Sequence, residues 1–279
     1  MTTPTIGPKV LLEGPSGVGK TYALGTLVDW AATQTPPIQV FTLFTENGLE
    51  TLQGYWRDRD LPIPENLHWH STLTRPISLT SLMDAADKVG KLSYESITKM
   101  VDGTRGTNNA FYAILKACSD FPDDRTGKTF GPVDSFGSDK IFITDSLSEL
   151  ANACMKMVIG NKPTASQPDY GVAQNNLMNF LRLCTQGISC TFVLTAHVDR
   201  LTDELTGTTK LMTKAIGKAM AGDIPQLFSD VIYAVREGTQ FFWDTAAANV
   251  DTKTRNLPIA AKQRPDFAPI MNKWSNRNT

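Results

Sequence analysis

The sequence lacks what a membrane protein needs. No apolar run in its 279 residues approaches the ~20 required to span a bilayer. Met1 to Pro8 is polar, with no secretory apolar region. The expectation is a cytosolic protein. Cysteine is scarce: the four residues, Cys118, Cys154, Cys184 and Cys190, form no Cys-x-x-Cys pairing. Each sits among apolar or small neighbours, and they read as buried free thiols in a reducing compartment. Charge of one sign is missing. Lys and Arg number 27 against 28 Asp and Glu, a net −1, so any pull on nucleic acid must come from a local patch. Histidine is rare as well. His68 and His70 share one face of a short strand, and with no third ligand in sight they read as an ordinary strand face rather than a metal site. There is no internal repeat and no low-complexity run.

What is present is one glycine-rich stretch of definite spacing, Gly14-Pro15-Ser16-Gly17-Val18-Gly19-Lys20-Thr21. It fits the pattern Gly, four residues, Gly, Lys, then Ser or Thr. Glycines let the chain turn where a Cβ would clash. Successive N–H groups then line a concave anion site, and the following helix points its positive N-terminus at the same anion. Val10-Leu11-Leu12 before it reads as a buried strand. Leu24, Leu27, Val28 and Ala31 after it recur at helical spacing. The stretch from Gly14 to Tyr22 is therefore the expected nucleotide-binding segment. Lys20 bridges the β- and γ-phosphates in this reading, and Thr21 offers its hydroxyl to Mg²⁺.

Further along, Ile38 to Phe44 reads as a second buried strand ending on Thr45-Glu46-Asn47-Gly48. Glu46 then stands at the carboxyl edge of the sheet, where open α/β sheets hold their ligands. A third strand is expected at Leu67 to His70. From about Ile77 to Asp139 the chain reads as a helical insertion with long loops, with helices at Ser93–Met100 and Ala110–Cys118. Lys140-Ile141-Phe142-Ile143-Thr144-Asp145 is an apolar strand ending on an acid. Asp145 is expected to hold Mg²⁺ through a water and to accept from Thr21. Because serine, not glutamate, follows Asp145, the water-activating base comes from elsewhere. Glu46 is the first candidate and Glu149, one helical turn on, its rival.

Tyr170, Ala173, Leu177, Phe180, Leu181 and Cys184 line one helix face. Cys190 to Thr195 is a fourth buried strand, and it delivers His197 to the same edge as Glu46 and Asp145. Val198 to Met220 reads as a polar, mobile stretch. Val231–Val235 and Phe241–Trp243 read as a hairpin across Glu237-Gly238. From about residue 252 to 279 the chain reads as a basic tail. The fold expected is α/β, a mostly parallel twisted sheet flanked by helices, in a single domain spanning 1–279.

The phosphate loop, the Asp145-Ser146 strand, the strand ending Thr195-Ala196-His197 and the Lys253-Thr254-Arg255 triplet together resemble the RecA-like P-loop ATPases. The likeness is to phage-encoded members, which include core-only annealing recombinases. Phe130 to Ser135, Tyr170-Gly171, Gly217-Lys218 and Ile224-Pro225 extend it over most of the chain. The resemblance implies ATP and Mg²⁺ as cofactors, Glu46 as catalytic glutamate, and His197 as a γ-phosphate sensor. It implies Lys253 and Arg255 as a finger pair reaching the neighbouring subunit's site, and hence a ring or filament of copies. It also implies that the loops Gly160–Asp169 and Val198–Lys218 meet DNA through Lys162, Lys210, Lys214 and Lys218. The function expected is Mg²⁺-dependent ATP hydrolysis in phage DNA recombination, annealing or replication, in the bacterial host cytoplasm. The partners expected are single-stranded DNA or a phage or host replication or recombination protein. The alternatives are an ATP-switched assembly or remodelling factor docking a protein on the insertion, and a small-molecule kinase using Arg105 or Arg125 as a lid arginine.

Overall fold

A computed structural model describes residues 6–72, 79–91, 93, 110–160, 165–202, 207 and 209–276. The expected helix at Ser93–Met100 falls almost wholly outside them, as do Lys162 and Arg105. Strand β1 (Lys9–Glu13) leads into helix α1 (Lys20–Ala32), then β2 (Gln39–Phe44), α2 (Leu49–Arg57) and β3 (Leu67–Ser71). Helices α3 (Leu79–Gly90) and α4 (Ala110–Ser119) precede β4 (Lys140–Asp145), α5 (Leu147–Ile159), α6 (Gln167–Arg182) and β5 (Thr191–Ala196). The chain continues through β6 (Val198–Thr202), β7 (Thr209–Thr213), α7 (Gly217–Asp223), β8 (Asp230–Glu237), β9 (Gln240–Asp244) and α8 (Ala268–Ser275).

Seven strands form one sheet in the order β3-β2-β4-β5-β1-β8-β9. All pair in parallel except the β8–β9 hairpin. The central strands are buried along nearly their whole length, as expected when helices cover both faces. On one face α1, α2 and α8 pack on Val10, Leu12, Val40, Ile141 and Trp243. On the other, α4, α5 and α6 pack on Leu11, Phe41, Phe142 and Phe192.

Several expectations are corrected here. Residues 110–139 are not a peripheral insertion of long loops: Phe121, Val133 and Phe136 are buried in the core against the sheet. The stretch after His197, expected to be polar and mobile, contains two strands. β6 and β7 pair antiparallel, with Val198 opposite Thr213, as a separate two-stranded ribbon. Of its residues only Leu211 and Thr213 are buried, too few to give an apolar alternation to read. The C-terminal stretch is not a tail. Phe267, Ile270 and Met271 are buried against α1, and Trp30 Nε1 donates to Asn272 Oδ1 at 2.7 Å. Tyr170 lies off the buried face of α6 and is exposed. The helix instead starts on a capping box in which Ser166 and buried Asp169 satisfy each other's backbone.

His68 and His70 are ordinary strand residues, bonded to Asp123 and Asp124 respectively. No group of three or more metal-capable side chains exists among the described residues. All four cysteines are free, with Cys118 half-buried and the others buried. Burial pushes the Cys154 thiol up to about 12 and the Cys190 thiol up to about 11. Among the described residues no helix is long and apolar enough to cross a membrane.

Candidate nucleotide site

The glycine stretch folds as its spacing predicts. Gly17 and Gly19 hold φ of 75° and 79°, a left-handed region that other residues enter at a cost. The loop leaves β1 at Glu13 and re-enters regular structure at Lys20, the first residue of α1. Pro15, Ser16 and Gly17 are exposed while Val18 and Lys20 are buried. Lys20 Nζ donates to the Gly14 and Pro15 carbonyls at 2.9 and 2.7 Å, so the ammonium is folded into the loop's own concavity. Burial lowers its pKa to about 8, against the upward pull of Asp145, Glu46 and Glu13.

Asp145 ends β4, two strands from the loop, with β5 between. Thr21 Oγ1 donates to Asp145 Oδ2 at 2.9 Å, and Thr195 Oγ1 from β5 donates to the other oxygen. Burial raises the carboxyl's pKa, while these two hydroxyls work in the opposite direction. Gly48 packs on this carboxylate so closely that a Cβ there would lie 2.5 Å from Oδ2. No ion pair forms with Asp145 among the described residues. A buried carboxylate bonded to the Thr21 hydroxyl is a donor set of hard oxygens, and it fits a small divalent cation.

The ends of β2 and β4 are stitched together. Thr45 Oγ1 donates to the Ser146 carbonyl at 2.8 Å and accepts from Ser146 N at 2.9 Å. That brings Glu46 to the carboxyl edge beside Asp145. Glu46 Oε2 lies 3.7 Å from His197 Nε2, and His197 Nδ1 lies 3.5 Å from Lys20 Nζ. The His197 imidazole holds the Glu46 carboxyl below its usual range, although burial opposes it. Three strand ends expected to meet do meet. Glu149, the rival acid, accepts from Asn152 within its own helix at 3.0 Å.

Other expected residues lie elsewhere. Tyr22 turns toward α2, edge-on to Tyr55 at 5.2 Å and 5.6 Å from the Arg59 guanidinium. Lys253 pairs through its backbone with Val231, near the amino end of β8. Its Nζ donates to the Phe228 carbonyl at 2.7 Å. Arg255 follows, its N–H donating to Asp230 at 2.8 Å. Since β8 runs parallel to β1, this pair sits at the sheet's other end from its own phosphate loop. Lys210, on the ribbon, pairs with Asp251 at 2.8 Å. Lys214 and Lys218 are exposed just beyond the ribbon. Arg125 is not available as a lid arginine: it donates to the Pro64 carbonyl at 2.7 Å and lies over Trp69.

Sequence reasoning missed Glu13. It is fully buried next to the loop, with Oε2 accepting from Thr213 Oγ1 at 2.6 Å and Oε1 without a hydrogen-bond partner. Burial pushes its pKa up to about 7. The sign that marks Asp145, an acid closing an apolar strand, is present in Val10-Leu11-Leu12-Glu13 as well. Lys214 N also donates to the His197 carbonyl at 2.7 Å, so the base of the ribbon, where β6 begins and β7 ends, is fastened to this site.

A parallel sheet with a glycine loop between β1 and α1, and an acid at the end of a second strand bonded to the threonine after the loop's lysine, defines a P-loop nucleotide-binding protein. The AAA domain family matches residues 6–264, and the chain belongs to that family. No curated protein matches it. Among solved structures it is similar to a prototypical ATPase from the type III secretion system of pathogenic bacteria, with 16% identity, a TM-score of 0.43, and 83% of this chain and 53% of that one covered. It is also similar to the assembled ATPase EscN from the type III secretion system of enteropathogenic E. coli, with 15% identity, a TM-score of 0.42, and 82% and 43% covered. The chain thus spans about half the length of these proteins or less.

Proposed function

We propose that this single domain, residues 1–279, is a Mg²⁺-dependent ATPase of the RecA-like class. In this reading it assembles with copies of itself and acts in phage DNA recombination, annealing or replication in the bacterial host cytoplasm. The observation that carries the hydrolytic assignment is the run Lys20–His197–Glu46, with separations of 3.5 and 3.7 Å. The backbone amides from Gly14 to Thr21 bind the phosphates. Lys20 gives up the loop carbonyls for the β- and γ-phosphate oxygens. Thr21 and Asp145 hold Mg²⁺, which when bound neutralises charge on the phosphates. Glu46 accepts a proton from, or orients, the attacking water; its lowered pKa keeps it ionised at neutral pH. His197 stands between that base and the lysine, where loss of the γ-phosphate changes what both touch.

Lys253 and Arg255 serve a neighbouring copy in this proposal. Both are exposed at the sheet end away from their own loop, so they help only a site presented by another protomer. A cation supplied this way neutralises charge on the transferred phosphoryl and ties turnover to assembly. The ribbon, with Lys210, Lys214 and Lys218, is the surface offered to single-stranded DNA. A protein partner is the second reading, favoured by the Asp251 carboxylate that neutralises Lys210.

The test is ATP hydrolysis measured across protein concentrations, with and without single-stranded DNA. The rate per subunit should rise with concentration. Lys253→Ala should abolish turnover while ATP affinity survives. DNA should stimulate hydrolysis, and the triple change of Lys210, Lys214 and Lys218 to Ala should remove that stimulation alone. A concentration-independent rate overturns the trans assignment, and indifference to every DNA favours the protein partner.

A further inference from the structure

We propose that Phe241 is the stacking platform for the base of the bound nucleotide. This rests on the phosphate-loop reading above and extends it past the phosphates. Phe241 lies on β9, facing Arg236 across the hairpin, and the residue is 43% exposed. Trp243, two residues on and therefore on the same sheet face, is 1% exposed and packed in the core with α1. The β9 face thus runs from core to open surface at the point where α1 begins. There the Phe241 ring lies against the phosphate loop. A Cβ at Gly19 would meet its Cδ1 at 3.2 Å, and its Cγ and Cε1 at 3.6 Å. Gly19 lets the ring approach because it has no side chain.

The position suits a base. The phosphate cradle closes at Gly19 to Thr21, where α1 starts, so sugar and base leave the loop from that end. An exposed phenyl ring in contact with the last loop glycine offers a flat apolar surface there. The other nearby aromatic, Tyr22, is engaged with Tyr55 and Arg59. The Arg236 guanidinium lies over the Phe241 ring, 5.7 Å from its centre, with its Nε bonded to the Gly238 carbonyl at 2.8 Å. A cation there can shift to share the aromatic surface with a stacked base. Stacking uses the π-face that every base has, and a purine covers more of the ring than a pyrimidine. The platform therefore grips the base as a surface.

The experiment compares binding of ATP, UTP and inorganic tripolyphosphate, with Mg²⁺, to wild-type protein, Phe241→Ala and Phe241→Trp. Phe241→Ala should bind ATP about 10-fold more weakly, a typical loss for one base–aromatic stack. The loss for UTP should be smaller, and tripolyphosphate binding should be unchanged. Phe241→Trp should keep ATP affinity, and its fluorescence should respond to ATP but not to tripolyphosphate. Equal ATP affinity in wild type and Phe241→Ala overturns the proposal. So does an equal loss for ATP and tripolyphosphate, because Phe241 would then only prop the loop. Wild-type protein that binds neither ligand sinks the phosphate-loop reading and this inference with it. Wild-type protein that binds both, with Phe241→Ala unaltered, sinks this inference alone.

Discussion

The two ends of β1 and β8 treat buried charge in opposite ways. At the amino end, Asp230 is fully buried and saturated. It accepts from Arg255 N, Asn256 N and Asn256 Nδ2 at 2.8, 2.8 and 2.6 Å, and from Ser229 Oγ at 2.9 Å. At the carboxyl end, Glu13 is just as buried yet has one oxygen with no partner. There Lys20 rests on loop carbonyls, and Glu46 and His197 stand 3.7 Å apart. A saturated carboxylate anchors structure. Incompletely bonded groups retain capacity for a ligand. The lesson is that full bonding marks the end that holds the chain together, and incomplete bonding the end that acts.

The comparison breaks most visibly on catalysis. Glu46→Gln should cut kcat by about 10²- to 10⁴-fold, the usual worth of a positioned base, with ATP binding and unfolding midpoint nearly unchanged. Steady-state hydrolysis beside a binding titration checks it. A variant that turns over normally would return Glu149 to candidacy.

Asp230→Ala should do the reverse. It strands two backbone N–H groups and an amide, each worth about 1–3 kcal/mol when buried without a partner. Urea unfolding should show a loss of about 4 kcal/mol, and any fall in hydrolysis should track the unfolded fraction. If stability holds, Asp230 is not the anchor described.

Glu13 sharpens the contrast through pH. Its pKa rises from 4.5 unfolded to about 7 folded, so between those values the native state binds more protons. Its contribution is fully present below about 4.5 and is lost as pH rises through about 7. The span corresponds to about 3 kcal/mol at most. Glu13→Gln should flatten that part of the stability–pH curve and leave the variant more stable than wild type at pH 8. An unchanged slope would mean that Asp251 or Lys20, the other charges acting on Glu13, sets the dependence. Thr213→Val removes the hydroxyl that bonds Glu13, and should cost about 1 kcal/mol, the smallest effect of the set.

Much of the sheet was legible because its central strands are buried on both faces and read as continuous apolar runs. Val10 to Leu12, Phe41 to Phe44, Ile141 to Ile143 and Phe192 to Leu194 each became the strand expected. The acids and the histidine closing such runs could be placed at one edge, since parallel strands end together. The ribbon was illegible because strands that bury little carry no alternation. The stretch after residue 252 was misread because its order comes from distant pairings, Val231 with Lys253 and Trp243 with Gln263, which composition does not reveal.

By itself the sequence determined the loop, its helix, the strands and the polar residues at their ends, since each depends on neighbours within a few positions. Only the tertiary structure decided that Thr213 reaches Glu13 across 200 residues of chain, that Tyr22 faces α2, and that Phe241 lies on Gly19. Those contacts depend on which strand the sheet sets beside which. That order is chosen by the packing of whole faces against one another, a property no local stretch carries.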